Sequence, residues 1–186
     1  TARPKTEAEG KQKPEDSKQR PVAKSKVYLL HSDLLRKDAT HPDAQIVTGN
    51  VRFRHDSVYM YCDSACYYDK VSSFEAFGNV KMVQGDTLFL YGDRLYYDGL
   101  TQIAEMRCNV RMENRTTTLL TDSLNYDRVY NLGYFFDGGT LMDEQNVLTS
   151  EWGEYSPQTK QSVFNYNVKL VNPQLSLIHI SEPTRP

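Results

Sequence analysis

An all-β chain assembled from about five copies of a 30-residue unit is what the sequence predicts, on three observations. The step Asn-Val recurs at Asn50-Val51, Asn79-Val80, Asn109-Val110 and Asn167-Val168, at intervals of 29, 30 and 58 residues. An acid recurs at Asp33, Asp63, Asp93, Asp122 and Glu151, and from the second copy on a tyrosine follows four residues later, at Tyr67, Tyr97, Tyr126 and Tyr155. Between these marks apolar and polar residues alternate with period two. A fixed period of this size marks stacked units that cannot bury an apolar face alone, and the alternation marks half-buried strands.

In chain order, residues 1–26 come first, a Lys/Glu/Pro/Gln-rich stretch with eight Lys/Arg against four Asp/Glu. It has too little apolar mass to offset the entropy of ordering and is expected to be a disordered basic arm. A weak apolar patch at 27–35 is the only hint of helical spacing. In the first full unit Val47, Gly49, Val51 and Phe53 share a parity. The next copies align Phe74, Ala76, Gly78, Val80 and Met82, then Ala104, Met106, Cys108, Val110 and Met112; Phe164, Tyr166, Val168 and Leu170 follow near the end. The acid segments alternate through Leu95 and Tyr97 and through Leu124 and Tyr126, each acid expected to open a strand at a turn, where Asp bonds its own backbone. Gly85-Asp86, Asp98-Gly99 and Gly138-Gly139 read as turns, and the copy near Gly139-Thr140 is degenerate. Residues 27–174 then make one domain. The stretch 175–186, LSLIHISEPTRP, leaves the period and is expected to be a non-native tail, with the native protein continuing past Gln174.

Composition narrows the function classes. Residues 27–174 carry 13 Lys/Arg against 19 Asp/Glu, an acidic balance that argues against wrapping nucleic acid. There is no apolar run of about 18 residues to span a membrane as a helix and no Gly-rich nucleotide loop. Cys62 and Cys66 share parity on one strand, roughly 13 Å apart when extended and beyond disulfide reach. Cys108 takes the slot of Gly49 and Gly78 as a small filler, so all three are expected to be free structural thiols. No Cys or His spacing points to a metal site, and neither metal nor cofactor is expected.

With Gly49-Asn50-Val51 and Gly78-Asn79-Val80 in register with Asp93-x-Leu95-x-Tyr97 and Asp122-x-Leu124-x-Tyr126, the chain resembles the OstA-like family, relatives of the periplasmic lipopolysaccharide-transport protein LptA and the amino-terminal domain of LptD. The text from Asp43-Ala44-Gln45 to Asn172-Pro173 is similar to its Bacteroidetes branch, while Glu151-Trp152-Gly153 departs from the Asp-x-Leu pattern. The resemblance implies a β-jellyroll folded like a taco, two antiparallel sheets flanking an apolar groove for the acyl chains of lipopolysaccharide. It also implies no enzymatic activity and a periplasmic location, either as a soluble bridge or as the periplasmic part of an outer-membrane assembly protein. The implied partners are lipopolysaccharide through its lipid A, other transport components, or a second copy, joined end to end through strand edges at 27–35 and 164–171.

The expected groove lining is Val51, Phe53, Phe74, Val80, Met82, Leu95, Tyr97, Met106, Val110, Met112, Leu124, Tyr126, Phe136, Phe164, Val168 and Leu170. A basic column of opposite parity, Arg52, Lys81, Arg111 and Lys169, suits lipid A phosphates if it reaches the groove rim and is otherwise a solvated outer face. A competing reading takes the acidic column as paired carboxylates of a polysaccharide-acting β-solenoid enzyme, or the whole as a surface adhesin or scaffold.

Overall fold

The structure, a computed structural model, describes residues 25–37 and 39–172 and, for the backbone alone, 175–179. Six long strands carry the fold: β3 (Gln45–His55), β4 (Val58–Tyr68), β5 (Ser73–Gln84), β6 (Leu88–Asp98), β7 (Ile103–Asn114) and β8 (Thr117–Asp127). Before them lie β1 (Tyr28–His31) and β2 (Leu34–Lys37). After them come β9 (Leu132–Phe135), β10 (Gly139–Met142), β11 (Val147–Ser150), β12 (Trp152–Tyr155), β13 (Ser162–Asn165), β14 (Lys169–Asn172) and β15 (Leu175–His179). The patch with a hint of helical spacing is thus β1 and β2.

The long strands bend at mid-length for a reason written in the repeat. Successive residues take left-handed backbone at Gly49-Asn50 (φ 80° and 47°), Gly78-Asn79 (75° and 45°) and Cys108-Asn109 (62° and 52°). Each pair faces a single residue of the following strand, Asp63, Asp93 or Asp122, and the register shifts there. Two residues against one is a β-bulge, which bends and twists its strand. Because the bulges stand side by side, their bends align into one crease. The shorter strands break on the same line, β1/β2 at Asp33, β9/β10 at Gly138, β11/β12 at Glu151 and β13/β14 at Tyr166-Asn167.

The crease divides the sheet into two walls. The first runs β2–β3–β4–β5–β6–β7–β8–β9–β12–β13; the second runs β1–β3–β4–β5–β6–β7–β8–β10–β11–β14–β15. Every pairing among these strands is antiparallel, which is the taco expected from the resemblance and not the parallel coils of a β-helix. β15 extends the second wall past β14. The basic arm through residue 24 and the tail from 180 onward lie outside the described residues.

The acidic column does not sit at turns. It lies in the crease, where each Asn side chain reaches the acid of the preceding strand: Asn50 Nδ2 donates to Asp33 Oδ2 at 3.0 Å, Asn79 to Asp63 at 2.8 Å and Asn109 to Asp93 at 2.5 Å. Asn167 reaches Glu151 in the same way, and the Asn109 backbone N–H donates to Asp122 Oδ1 at 3.1 Å. The Asp-turn logic holds elsewhere, at Asp98, Asp127 and Asp143, which accept backbone N–H groups of Leu100, Val129 and Gln145 at 2.9, 2.9 and 2.8 Å.

The crease also resets parity. In β5 and β7 two residues occupy the crease, so inward positions keep their parity across it. In β4 and β6 only one residue occupies the crease, and the inward face switches from Val58, Met60 and Cys62 to Ala65 and Tyr67. Cys62 therefore points inward and Cys66 outward, rather than sharing a face, and Cys108 is exposed in the crease rather than filling space. None of the three is in a disulfide.

Candidate functional site

Between the walls lies the apolar interior. Val51, Phe53, Phe74, Val80, Met82, Leu95, Tyr97, Met106, Val110, Met112, Leu124 and Tyr126 are all 2% exposed or less. Contacts cross from wall to wall: the rings of Phe53 and Phe74 stack with centroids 4.1 Å apart, and Phe53 meets Tyr67 at 5.3 Å. The trough is therefore filled by its own side chains, with the walls in van der Waals contact. Phe164, Val168 and Leu170 are half-buried at the carboxyl-terminal end, Phe164 lying 6.3 Å from Phe135. Phe136 does not line the interior. It is 44% exposed on the outer face with the Arg107 guanidinium 5.4 Å from its ring, while its neighbour Phe135 is fully buried. A slip of one residue exchanges the faces of a strand. Met60, Leu88, Leu90, Leu119 and Tyr155 also line the interior; the parity reset hid the first four from sequence reasoning.

Opposite the crease, the free ends of the walls meet in a row of polar rungs, one per repeat. Tyr67 OH donates to the Val27 carbonyl at 2.7 Å. Tyr97 OH lies 2.7 Å from His55 Nδ1 and accepts from Arg128 at 2.5 Å. Tyr126 OH accepts from Gln84 Nε2 at 3.4 Å, and Gln84 also donates to Asn131 Oδ1 at 3.0 Å. Asn114 Nδ2 donates to Tyr155 OH at 3.0 Å and to the Pro157 carbonyl at 2.9 Å. Arg128 also lies 3.1 Å from His55 Nδ1 and can only donate, so in the neutral ring Nδ1 accepts and Nε2 carries the proton, facing Ser25 Oγ at 2.9 Å and the Ser25 carbonyl at 3.2 Å. Burial and then the Arg128 charge hold His55 below its usual pKa. Burial pushes the Tyr97 and Tyr126 phenols up to about 12, so they stay protonated.

The basic column does not reach this rim. Cross-strand register lines up Arg52, Tyr61, Lys81, Tyr91, Arg111 and Leu120 on the outside of the second wall, and Lys169 continues the row through Thr140 and Thr149. The row runs beside the crease, at the far end of the strands from the mouth. Two of its cations are engaged laterally: Arg111 sits 4.4 Å and Lys81 5.7 Å from the Tyr91 ring, and Arg111 Nε is 3.0 Å from Glu113. A shallow cavity of about 830 Å³ lies along this outer crease, lined by Lys81, Tyr91, Asp93, Asn109 and Arg111 among others. Among the described residues no group of three or more His, Cys, Asp or Glu side chains converges on a metal position.

Comparison with known proteins places this geometry. A family model described as OstA-like protein matches residues 24–179. The structure of LptH from Pseudomonas aeruginosa, described as the LptA-homologous periplasmic component of the conserved lipopolysaccharide transport device, matches with a TM-score of 0.57 at 16% identity, over 61% of this chain and 93% of that one. At that identity the likeness is one of fold. The protein translocase subunit SecA of Cytophaga hutchinsonii is 26% identical over 155 residues, 83% of this chain but 11% of that protein. The chain thus spans about a tenth of that relative. With the family model covering both walls and the whole crease, this chain belongs to the OstA-like family.

Proposed function

We propose that this chain is a non-enzymatic periplasmic carrier of lipopolysaccharide that takes acyl chains between its walls and passes them end to end toward the outer membrane. The observation that carries this reading is continuity: one apolar cluster runs without interruption from Val47 and Phe53 through Met82, Leu95 and Met112 to Leu124 and Phe135. Membership in the OstA-like family and the likeness of fold to LptH support attaching that interior to a lipid. Each methylene removed from water is worth about 0.8 kcal/mol, so a long acyl chain gains on the order of 10 kcal/mol before ordering costs. Because the walls touch, loading requires them to part, the acyl chain replacing the contacts they make with each other. Met60, Met82, Met106 and Met112 suit that exchange, being unbranched and easily repacked. Exposed Tyr28, Leu30, Leu34 and Leu35 at one end and Val163 and Tyr166 at the other suit edge pairing with a second copy or another transport component.

The filled interior favours one other reading, a bridging scaffold that holds no lipid. Photo-crosslinking residues placed singly at Phe53, Met82 and Met112, with Arg52 as the outer control, separate the two. Adducts with lipopolysaccharide at the three interior positions and none at Arg52 support the carrier. Adducts at Arg52 alone remove it and leave the scaffold.

A further inference from the structure

We infer that the polar rungs at the mouth form a latch that holds the walls closed in the unloaded protein and parts rung by rung to admit an acyl chain. This rests on the carrier reading above and adds how entry is controlled. The partners contributed by the second wall, His55, Gln84 and Asn114, are spaced 29 and 30 residues apart, the same pitch as Tyr97, Tyr126 and Tyr155 on the first. They differ in residue type yet each presents a polar atom to a tyrosine hydroxyl across the gap.

Their position matters as much as their recurrence. The backbone ladder joins the walls only along the crease, so at the mouth, among the described residues, they are held by side chains bonding to one another or to a facing carbonyl. A sandwich built solely for stability would close this line with apolar residues. Here the rings supply apolar area and the hydroxyls supply bonds that water can replace once the walls separate. Satisfaction is also incomplete, since Gln84 Oε1 and Arg128 Nε are buried without a hydrogen-bond partner among the described residues. Exposure to water would satisfy both atoms, which lowers the cost of opening. The rungs are graded: across the gap His55 Nδ1 meets Tyr97 OH at 2.7 Å, whereas Gln84 reaches Asn131 at 3.0 Å and Tyr126 at only 3.4 Å. Opening is therefore easiest at the Gln84–Tyr126–Asn131 rung.

Two manipulations of the full chain test this. Tyr97→Phe, Tyr126→Phe and Tyr155→Phe combined keep the rings and delete only the hydroxyls; loading of purified lipopolysaccharide, followed by photo-crosslinking from Met82, should accelerate about tenfold. Conversely, Gln84→Cys with Asn131→Cys, bridged by a short cleavable thiol reagent with Cys66 and Cys108 replaced by Ser, should abolish loading until the bridge is reduced. Spin labels at Asp86 and Tyr130, on facing hairpin tips, report wall separation without lipid, and the Phe variant should broaden that distance distribution. Loading that is equally fast in bridged, wild-type and Phe proteins overturns the latch. If no variant loads lipid but the Phe variant still broadens the distance, the carrier reading falls and takes with it the control of entry, leaving the rungs only as what closes the walls. If the distance is unchanged and nothing loads, both fall.

Discussion

Cys108 holds a backbone angle of φ 62° in the slot where Gly49 and Gly78 hold 80° and 75°. A side chain in the left-handed region costs about 1–2 kcal/mol that glycine avoids. Cys108 is exposed and its thiol is free, so Cys108→Gly loses little packing and should raise stability by about 1 kcal/mol, read as a higher urea midpoint with an unchanged slope. The reverse change is harsher, because a Cβ at Gly78 would stand 2.6 Å from Asp63 Oδ2; Gly78→Ala should destabilise. His55 makes a separate prediction. Its folded pKa lies below the unfolded value of 6.5 because of burial and the Arg128 charge. The unfolded chain therefore binds the extra proton first as pH falls. Stability is fully present above about pH 6.5 and declines as pH drops from there toward the folded pKa. Urea unfolding at pH 7.5 and 5.5 should show a lower midpoint at the acidic value, and His55→Gln should shrink the difference.

The crease is the element that makes two walls from one sheet, and its Asn–acid pairs hold the bulges in line. Asp63→Ala removes the acceptor for Asn79, which stays in a left-handed conformation without its bond. A loss of about 1–2 kcal/mol is expected in thermal or urea unfolding, while Asp86→Ala, in a hairpin turn, should change stability by less than about 0.5 kcal/mol. The same crease explains what sequence could and could not reveal. Along β5 and β7 an inserted pair leaves parity intact, so Phe74, Met82, Met106 and Met112 could be read as one inward row. Along β4 and β6 a single crease residue inverts parity, so strict alternation hides Met60 and Leu90 and sets Cys62 and Cys66 on one face. At the degenerate copy neither Asn nor a regular bulge marks the position, and alternation selects Phe136 where Phe135 points inward. The tyrosine spacing was visible, but its partners were not, since His55, Gln84 and Asn114 share a pitch and a function without sharing a side-chain type.

For the molecule as a whole, the two ends of the stack are different surfaces, and that difference decides what association looks like. One end presents β1 and β2 with Leu30 49% and Leu35 47% exposed; the other presents β13 with Val163 54% exposed. Edge pairing between copies would join unlike ends, a heterologous contact that continues rather than closes. Wild-type protein should then form a concentration-dependent series of species in sedimentation velocity, not a single dimer. Lysine on an edge strand is an effective block to pairing. Leu30→Lys with Leu35→Lys disables one end and Val163→Lys the other, so each variant alone should remain monomeric with its unfolding midpoint nearly unchanged, because these side chains are already exposed. Mixing the two variants leaves one intact end on each partner, and those ends are complementary. The mixture should give a dimer and stop there, since both outer ends of that dimer carry lysine. If the contact were isologous instead, with like ends meeting, each variant would retain one self-complementary end and dimerise alone, and mixing would produce nothing new.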